Sequence, residues 1–356
     1  MTGHQSLARR SLSWRLTSSL VTGLAGAVSR GFLYGLNNVE TPGLDQFLNL
    51  LDERLSGHHR EGLLTVSNHT SVLDDPLMWG VLPVRYSLRP ASIRWGLGAH
   101  DICFKNAVAA RFFSLGQILP THRLLHSPHG GLFQHTMAEA VHALSGPEPS
   151  PPSKPQQGLT FTTTAGETFP SPSAYVDKAW VHAFPEACVH QHPELALRYF
   201  KWGVSRLVLE SNPAPKLVPM FISGFQNIMH ENRKRPRWLP RIGADIKVHF
   251  GNALDTGELF KESRERWRLL VEKSHVSPST SIGDSHTYPE LLRSGEEAVH
   301  LRIEVAKAIR AEVVKLRTAA GHPPDDPSFA DAATWKADPS DRHYKSPIDG
   351  SLVHRE

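Results

Sequence analysis

The run TVSNHTSVLDDPLMWG (Thr65–Gly80) brings together residue types that could do chemistry: His69, then Asp74, with Asp75 and Pro76 directly behind. On one continuous helix an offset of five puts two side chains on different faces, since 3.6 residues make a turn. The pair can meet only if the chain bends between them. If it does, the carboxylate fixes the imidazole tautomer and stabilises the imidazolium, while the other ring nitrogen takes a proton from a hydroxyl group. That is general-base activation of an alcohol, and it needs no nucleophilic serine if the substrate supplies the hydroxyl. The spacing alone also fits a histidine that only satisfies backbone groups. Asp75 stands beside Asp74, and motif spacing is what favours Asp74.

The neighbouring elements must supply the bend. GLLTVSN (Gly62–Asn68) is short, apolar and bounded by polar residues, so it reads as a buried strand, and helical patterning resumes after Ser71. Further strands are expected in IRWGLGA, AWVHAF (Ala179–Phe184), KLVPMFISGF (Lys216–Phe225) and DIKVHFG (Asp245–Gly251). Helices are expected after Thr41-Pro42-Gly43, over Asn106–Gly116, before Gly146, over Leu195–Leu209 and over Leu301–Leu316. Strands interleaved with helices indicate an α/β domain. No Gly-x-Gly-x-x-Gly or Walker-type loop supports a nucleotide-binding reading.

The composition bounds the class. The 356 residues are 40% hydrophobic, enough for a substantial core, and the net charge is +4. Mild basicity suits an anionic surface without choosing one. The two cysteines, Cys103 and Cys188, make neither a disulfide framework nor a thiolate metal site. His190-Gln191-His192 reads as a polar loop rather than a metal site, since no carboxylate or cysteine stands at ligand spacing.

Residues 1–40 form a segment of their own. No acid occurs before Glu40, while Arg9, Arg10, Arg15 and Arg30 and many serines do, a composition shared with mitochondrial presequences. Leu16, Leu20, Leu24, Val28 and Phe32 recur every four residues, which predicts a weakly amphipathic helix. It is too short in apolar residues to span a bilayer. It suits either the membrane interface or an ordinary packed surface. Residues 41–320 are expected to form the main domain, interrupted at 147–177 by a Pro/Ser-rich insertion expected to be disordered, and 321–356 a mobile tail. NRKRPRWLPR (Asn232–Arg241) and the apolar stretch Trp202–Phe225 are further candidates for membrane contact. The basic cluster alone gives nucleic-acid binding little support.

Three other stretches join the opening one: DICF followed by FFSLGQILPTHR, with Gly116 and Arg123; Phe184-Pro185-Glu186 followed later by RYFKWGVSRLVLES; and KLVPMF with Pro219. At these residues the chain resembles the glycerophospholipid acyltransferases, whose first motif is His-x4-Asp. Within that family it is most similar to the mitochondrial transacylase branch that remodels cardiolipin. The resemblance runs from about Leu16 to Gly251. It implies a glycerol-phosphate-acyltransferase-like fold, α/β, with a mixed sheet flanked by helices. It implies His69 as general base and Asp74 as its orienting partner. Gly116, Arg123, Phe184, Pro185, Glu186 and Pro219 would form the substrate site, with Arg123 on a lipid phosphate and Glu186 organising that site or holding Arg123. It implies transfer between phospholipids and lysophospholipids, cardiolipin included, with no acyl-CoA, cofactor, metal or nucleic acid. The setting would be an interfacial, non-spanning attachment to a mitochondrial membrane, facing the intermembrane space. The alternative is an acyl-CoA-dependent lysophospholipid or glycerol-phosphate acyltransferase with the same dyad. Two departures stand out. Ala187 replaces the family's glycine after Phe-Pro-Glu, and the Gly116-to-Arg123 interval is one residue longer than in the general family, as in the transacylase branch.

Overall fold

The computed structural model describes residues 11–57, 59–124, 126–146, 160–230, 233, 236, 238–274 and 288–336. The strands are β1 (Asn38–Glu40), β2 (Leu63–Val66), β3 (Trp95–Ala99), β4 (Ile118–Thr121), β5 (Thr160–Thr162), β6 (Thr168–Pro170), β7 (Trp180–Ala183), β8 (Lys216–Ser223), β9 (Asp245–Phe250) and β10 (Leu254–Asp255). The main sheet has the order β1-β9-β8-β2-β7-β3-β4, with β10 added against β8. Strands β8, β2, β7, β3 and β4 run parallel, while β9 and β10 are antiparallel to β8. It is therefore a mixed sheet flanked by helices, as expected.

Every residue of β2 is buried, the mark of a strand covered on both faces. Its side chains divide by period two. Leu64 and Val66 enter one apolar cluster and Leu63 the other. Strand β8 divides the same way, with Leu217 and Phe221 on one face and Val218, Met220 and Ile222 on the opposite one. The helices His135–Ser145, Gly203–Leu209 and Glu296–Ala319 close the first face. Helices α1 (Leu12–Leu36), α2 (Leu44–Leu55) and α3 (Asp74–Met78) close the second, through Leu33, Phe47, Leu51, Leu77 and Met78.

Several expectations change. The helix expected over 195–209 covers only Gly203–Leu209, because Leu195 has φ 54° and starts an irregular stretch. That stretch is buried nonetheless, so its apolar run reflects packing and not helical period. The stretch from Trp202 to Phe225 is core: Val204–Leu209 are buried and β8 is paired on both edges. The expected disordered insertion is partly ordered, since 160–170 form the β5–β6 hairpin and Pro172–Ala174 a 3-10 turn. The front of that insertion, 147–159, lies outside the described residues. The expected mobile tail begins with packed residues, because Trp335 is buried against His190 and Arg198. Residues 337–356 are outside the description, as are 232, 234, 235 and 237 of the basic run 232–241.

Helix α1 also inverts a simple expectation. Its small and polar face is the buried one: Ser18, Thr22, Gly23 and Ser29 pack inward with Leu33. Ser18 Oγ donates to Leu115 O at 2.7 Å, Thr22 Oγ1 to Ser87 O at 2.6 Å, and Ser29 Oγ to Pro76 O at 2.7 Å. The close approach is fixed from both sides. A Cβ on Gly26 would stand 2.4 Å from Ser87 Oγ, and one on Gly80 2.7 Å from the Ser29 carbonyl carbon. Leu16, Leu20, Leu24 and Val28 are left more than 60% exposed.

Candidate active site

The loops at the C-terminal ends of the parallel strands carry the chemistry. After β2 the chain turns through Ser67–Leu73 into α3, and this is the bend the spacing required. His69 Nδ1 lies 2.8 Å from Asp74 Oδ2. Asp74 is fully buried, and the same oxygen accepts the backbone N–H groups of Thr70 (2.5 Å) and Ser71 (2.8 Å). Thr70 Oγ1 donates to its other oxygen at 3.3 Å. A carboxylate so held cannot swing away from the imidazole.

The histidine is fixed from three other directions. Its ring stacks on Phe184, with centroids 4.3 Å apart. Its backbone N–H donates to Glu186 Oε1 at 2.9 Å, and its carbonyl accepts from the His190 N–H at 2.7 Å. Just before it, Asn68 clamps β8 through two 2.8 Å bonds, one to Ile222 O and one from Ile222 N–H. His69 keeps 21% of its side chain exposed, so the ring is held yet reachable.

The second acid has other partners. Asp75 is bound by the Arg94 guanidinium, with Nε donating to Oδ1 at 3.1 Å and Nη2 to Oδ2, and by Trp79 Nε1 at 3.1 Å. Burial raises the Asp75 carboxyl, but the Arg94 charge, the neighbouring His182 and the hydrogen bonds from Trp79 and Arg94 together outweigh it and hold it below the usual range. Behind the site His182 is buried against Phe184 and Trp79, and burial pushes its imidazole down to about 3. Its Nδ1 stands 2.8 Å from Thr65 Oγ1, which accepts from Trp180 Nε1 at 2.9 Å. His182 is thus a neutral wall.

The sequence comparisons agree on one family. The acyltransferase family profile matches residues 39–223. Tafazzin of Saccharomyces cerevisiae is 34% identical over 340 residues, 93% of this chain and 86% of that protein. The protein named taffazin of Dictyostelium discoideum is 32% identical over 62% of this chain and 64% of its own length. The chain belongs to the acyltransferase family, in its tafazzin branch. Another relative is an N-acylphosphatidylethanolamine synthase of Arabidopsis thaliana, 29% identical over 77% of this chain and 82% of that protein. Among solved structures, the 1-acyl-sn-glycerophosphate acyltransferase PlsC of Thermotoga maritima aligns over 72% of this chain and 77% of its own, with TM-score 0.39 and 14% identity.

The other expected site residues of this acyltransferase are distributed unevenly. Phe184, Pro185 and Glu186 follow β7 beside His69. Phe184 carries the ring stack, and Pro185 O accepts the Lys201 N–H at 2.9 Å. Glu186 is buried. Its two oxygens take the backbone N–H groups of His69 and Arg198, each at 2.9 Å. Burial lifts its carboxyl to about 7 against the pull of those donors. Glu186 does not hold Arg123, as one reading of the sequence expected. Arg123 pairs with Asp101, Nε to Oδ1 at 3.0 Å and Nη2 to Oδ2. It lines an open cavity of about 390 Å³ with His100, His122 and Glu167, past the end of β4.

Pro219 lies in β8 opposite Val66, three residues before His69. Gly116 is not part of this cluster. It caps the helix Ala107–Leu115 ahead of β4, where its carbonyl accepts from Arg94 Nη1 at 3.2 Å. A strand's length separates it from Arg123. Ala187 adopts the conformation that the family glycine would favour, with φ 54°. Sequence reading missed Arg94, Asp101 and Phe184's stacking partner His69 as specific contacts. Arg94 and Asp101 are visible only once β3 places them against α3 and β4.

Proposed function

We propose that this enzyme is a CoA-independent transacylase that moves acyl chains between phospholipids and lysophospholipids, cardiolipin among them. The observation that carries the reading is the His69–Asp74 contact: a buried, triply bonded carboxylate on one ring nitrogen of a reachable histidine, in a chain whose relatives are tafazzins. His69 Nε2 accepts the proton of the lysophospholipid hydroxyl. The oxygen attacks the acyl ester carbonyl of a donor phospholipid. The tetrahedral intermediate collapses, the donor's ester C–O bond breaks, and the departing alkoxide takes the proton back from His69. One lysolipid is consumed and one is formed, so a single dyad serves both halves. Asp74 holds the tautomer and offsets the imidazolium charge. Arg123 meets the lipid phosphate, exchanging its Asp101 partner for the phosphate oxygens. Glu186 acts indirectly, by fixing the backbone of His69.

We place the enzyme at the surface of a mitochondrial membrane, facing the intermembrane space. No helix among the described residues is long and apolar enough to cross a bilayer. What supports an interfacial seat is the outward leucine stripe of α1, with exposed Leu88 and Phe112 on elements that adjoin it. The test uses the full chain with cardiolipin-containing liposomes and a labelled lysophospholipid, without and then with acyl-CoA. Label entering diacyl lipid without CoA, and lost in His69→Ala, is the expected result. Transfer only with acyl-CoA would replace this reading by the CoA-dependent one.

A further inference from the structure

The register of two strands creates a second constellation of histidines. Ala99 of β3 pairs with Thr121 of β4. In parallel strands the next residues also stand side by side, which brings His100 beside His122. Their rings stack with centroids 4.2 Å apart and planes 21° apart. The β5–β6 hairpin then delivers Glu167 from its turn. Glu167 Oε2 lies 2.8 Å from His100 Nε2 and 3.7 Å from His122 Nε2. Yet neither Nε2 makes an aligned hydrogen bond, although both atoms are buried. A buried ring nitrogen that faces a carboxylate without an aligned hydrogen bond is an exception that a shared ligand would resolve.

We propose that His100, His122 and Glu167 form a binding site for one divalent transition-metal ion of the zinc type. Four-coordinate zinc bonded at about 2.0–2.1 Å to nitrogen and oxygen spaces its ligand atoms roughly 3.3 Å apart. The two observed separations straddle that value, and all three ligand atoms lie within 4.8 Å of one another. Two imidazoles and one carboxylate suit zinc and its neighbours better than magnesium or calcium, which favour all-oxygen shells. Three protein ligands leave one position for solvent, on the cavity that Arg123 also lines.

The scaffold is already built. Gln134 holds the His122 backbone from both sides, accepting its N–H at 2.8 Å and donating to its carbonyl at 3.1 Å. Thr163 closes the hairpin turn, with its N–H on Glu167 O at 2.8 Å and its Oγ1 on the Glu167 N–H at 3.2 Å. His135 N–H donates to Thr164 Oγ1 at 3.0 Å and ties that turn to the helix behind it. Ion binding would therefore staple the hairpin to the ends of β3 and β4. The His69 proton transfer does not use the ion.

The test is a titration of the full chain, freed of metal with chelator, using Co²⁺ as the spectroscopic probe and Zn²⁺ as competitor. The expected result is one Co²⁺ per chain with the intense visible bands of a four-coordinate ion, displaced by Zn²⁺. Glu167→Gln and His100→Ala should each weaken binding by more than about 100-fold, beyond what loss of an outer-shell partner does. His300→Ala, at an exposed histidine far along the chain, should leave it unchanged. Glu167 is on the surface, so its variant keeps the fold even if a histidine variant does not. A weak, six-coordinate spectrum, or unchanged affinity in Glu167→Gln, would overturn the proposal. Because metal binding is read directly, its failure leaves the transacylase reading untouched, and the reverse holds.

Discussion

At the scale of residues, the two adjacent acids separate by partner. Asp74 serves His69 and Asp75 serves Arg94. His69→Ala should lower acyl transfer by about 10³-fold or more, with Asp74→Asn close behind, because the base is lost or its tautomer freed. Both proteins should keep the parent's melting temperature within a few degrees. Asp75→Asn should do the opposite. It strands a mostly buried guanidinium and should cost about 2 kcal/mol, seen as a lower denaturation midpoint, with a smaller effect on transfer. Comparable activity losses at both acids would refute the division of roles. Glu186 makes a separate pH prediction. Its carboxyl is raised to about 7, so between roughly 4.5 and 7 the folded state holds a proton that the unfolded chain releases. Its contribution is therefore complete at low pH and is lost as pH rises through 7. His182, pushed down to about 3, works against this trend, since its contribution is lost as pH falls below the ordinary imidazole range. The clean measurement is the difference between parent and Glu186→Gln. Glu186→Gln should be less stable at pH 5, where one N–H loses its acceptor, and should close that gap by pH 8. A gap constant across that span would show that Glu186 does not titrate.

At the scale of elements, Ala187 shows what a missing glycine does. Its φ of 54° is a left-handed conformation that costs a residue with a Cβ about 1 kcal/mol. Ala187→Gly should therefore leave the protein as stable or up to about 1 kcal/mol more stable in a denaturant melt, with the His69–Phe184 stack intact. A clear loss would mean that the Ala187 methyl packs for more than its strain. The contact between α1 and the segment after α3 makes the contrary case. Gly80→Ala would drive a Cβ into the backbone of Ser29 and Arg30, which a packed helix can relieve only by moving. A cost of about 2 kcal/mol is expected. These elements also show what the sequence made legible. The strands β2, β3, β7 and β8 could be read because each is an apolar run with clear ends, and β9 because Ile246, Val248 and Phe250 alternate with polar residues. Strand β4 could not, since Ile118–Thr121 is four residues with a proline inside. The helix over Leu195–Leu209 was read too long because Leu195, Leu197 and Phe200 are buried by packing, without helical geometry. His69 and Asp74 were legible because five residues of chain separate them. The His100–His122 pair was not, because it arises from strand register across 22 residues, and Glu167 joins only through a hairpin expected to be structureless.

At the scale of the whole molecule, α1 couples the fold to its surroundings. Its serines, threonine and glycines are spent on docking to the domain, and its leucines are left outside. A soluble surface helix has the reverse pattern. Leu88 reaches Gly23 across that contact, and the helix Ala107–Leu115, with exposed Val108 and Phe112, adjoins the same end of α1. Beyond the other end, Trp238, Leu239 and Ile242 are exposed as well, and Gly243 N–H donates to Leu36 O at 2.8 Å. An apolar face of this length has a thermodynamic use only against another apolar phase, and a lipid transferase has one at hand. Changing Leu16, Leu20 and Leu24 together to Gln should lower partitioning into cardiolipin-containing vesicles by roughly 100-fold, at about 1 kcal/mol for each side chain no longer immersed. The melting temperature should hardly move, because none of the three contributes to the core. Transfer on vesicles should fall with partitioning, while transfer between lipids dispersed in detergent should persist. If the triple variant instead unfolds, the stripe packs on protein; if it binds vesicles like the parent, the seat on the membrane lies elsewhere.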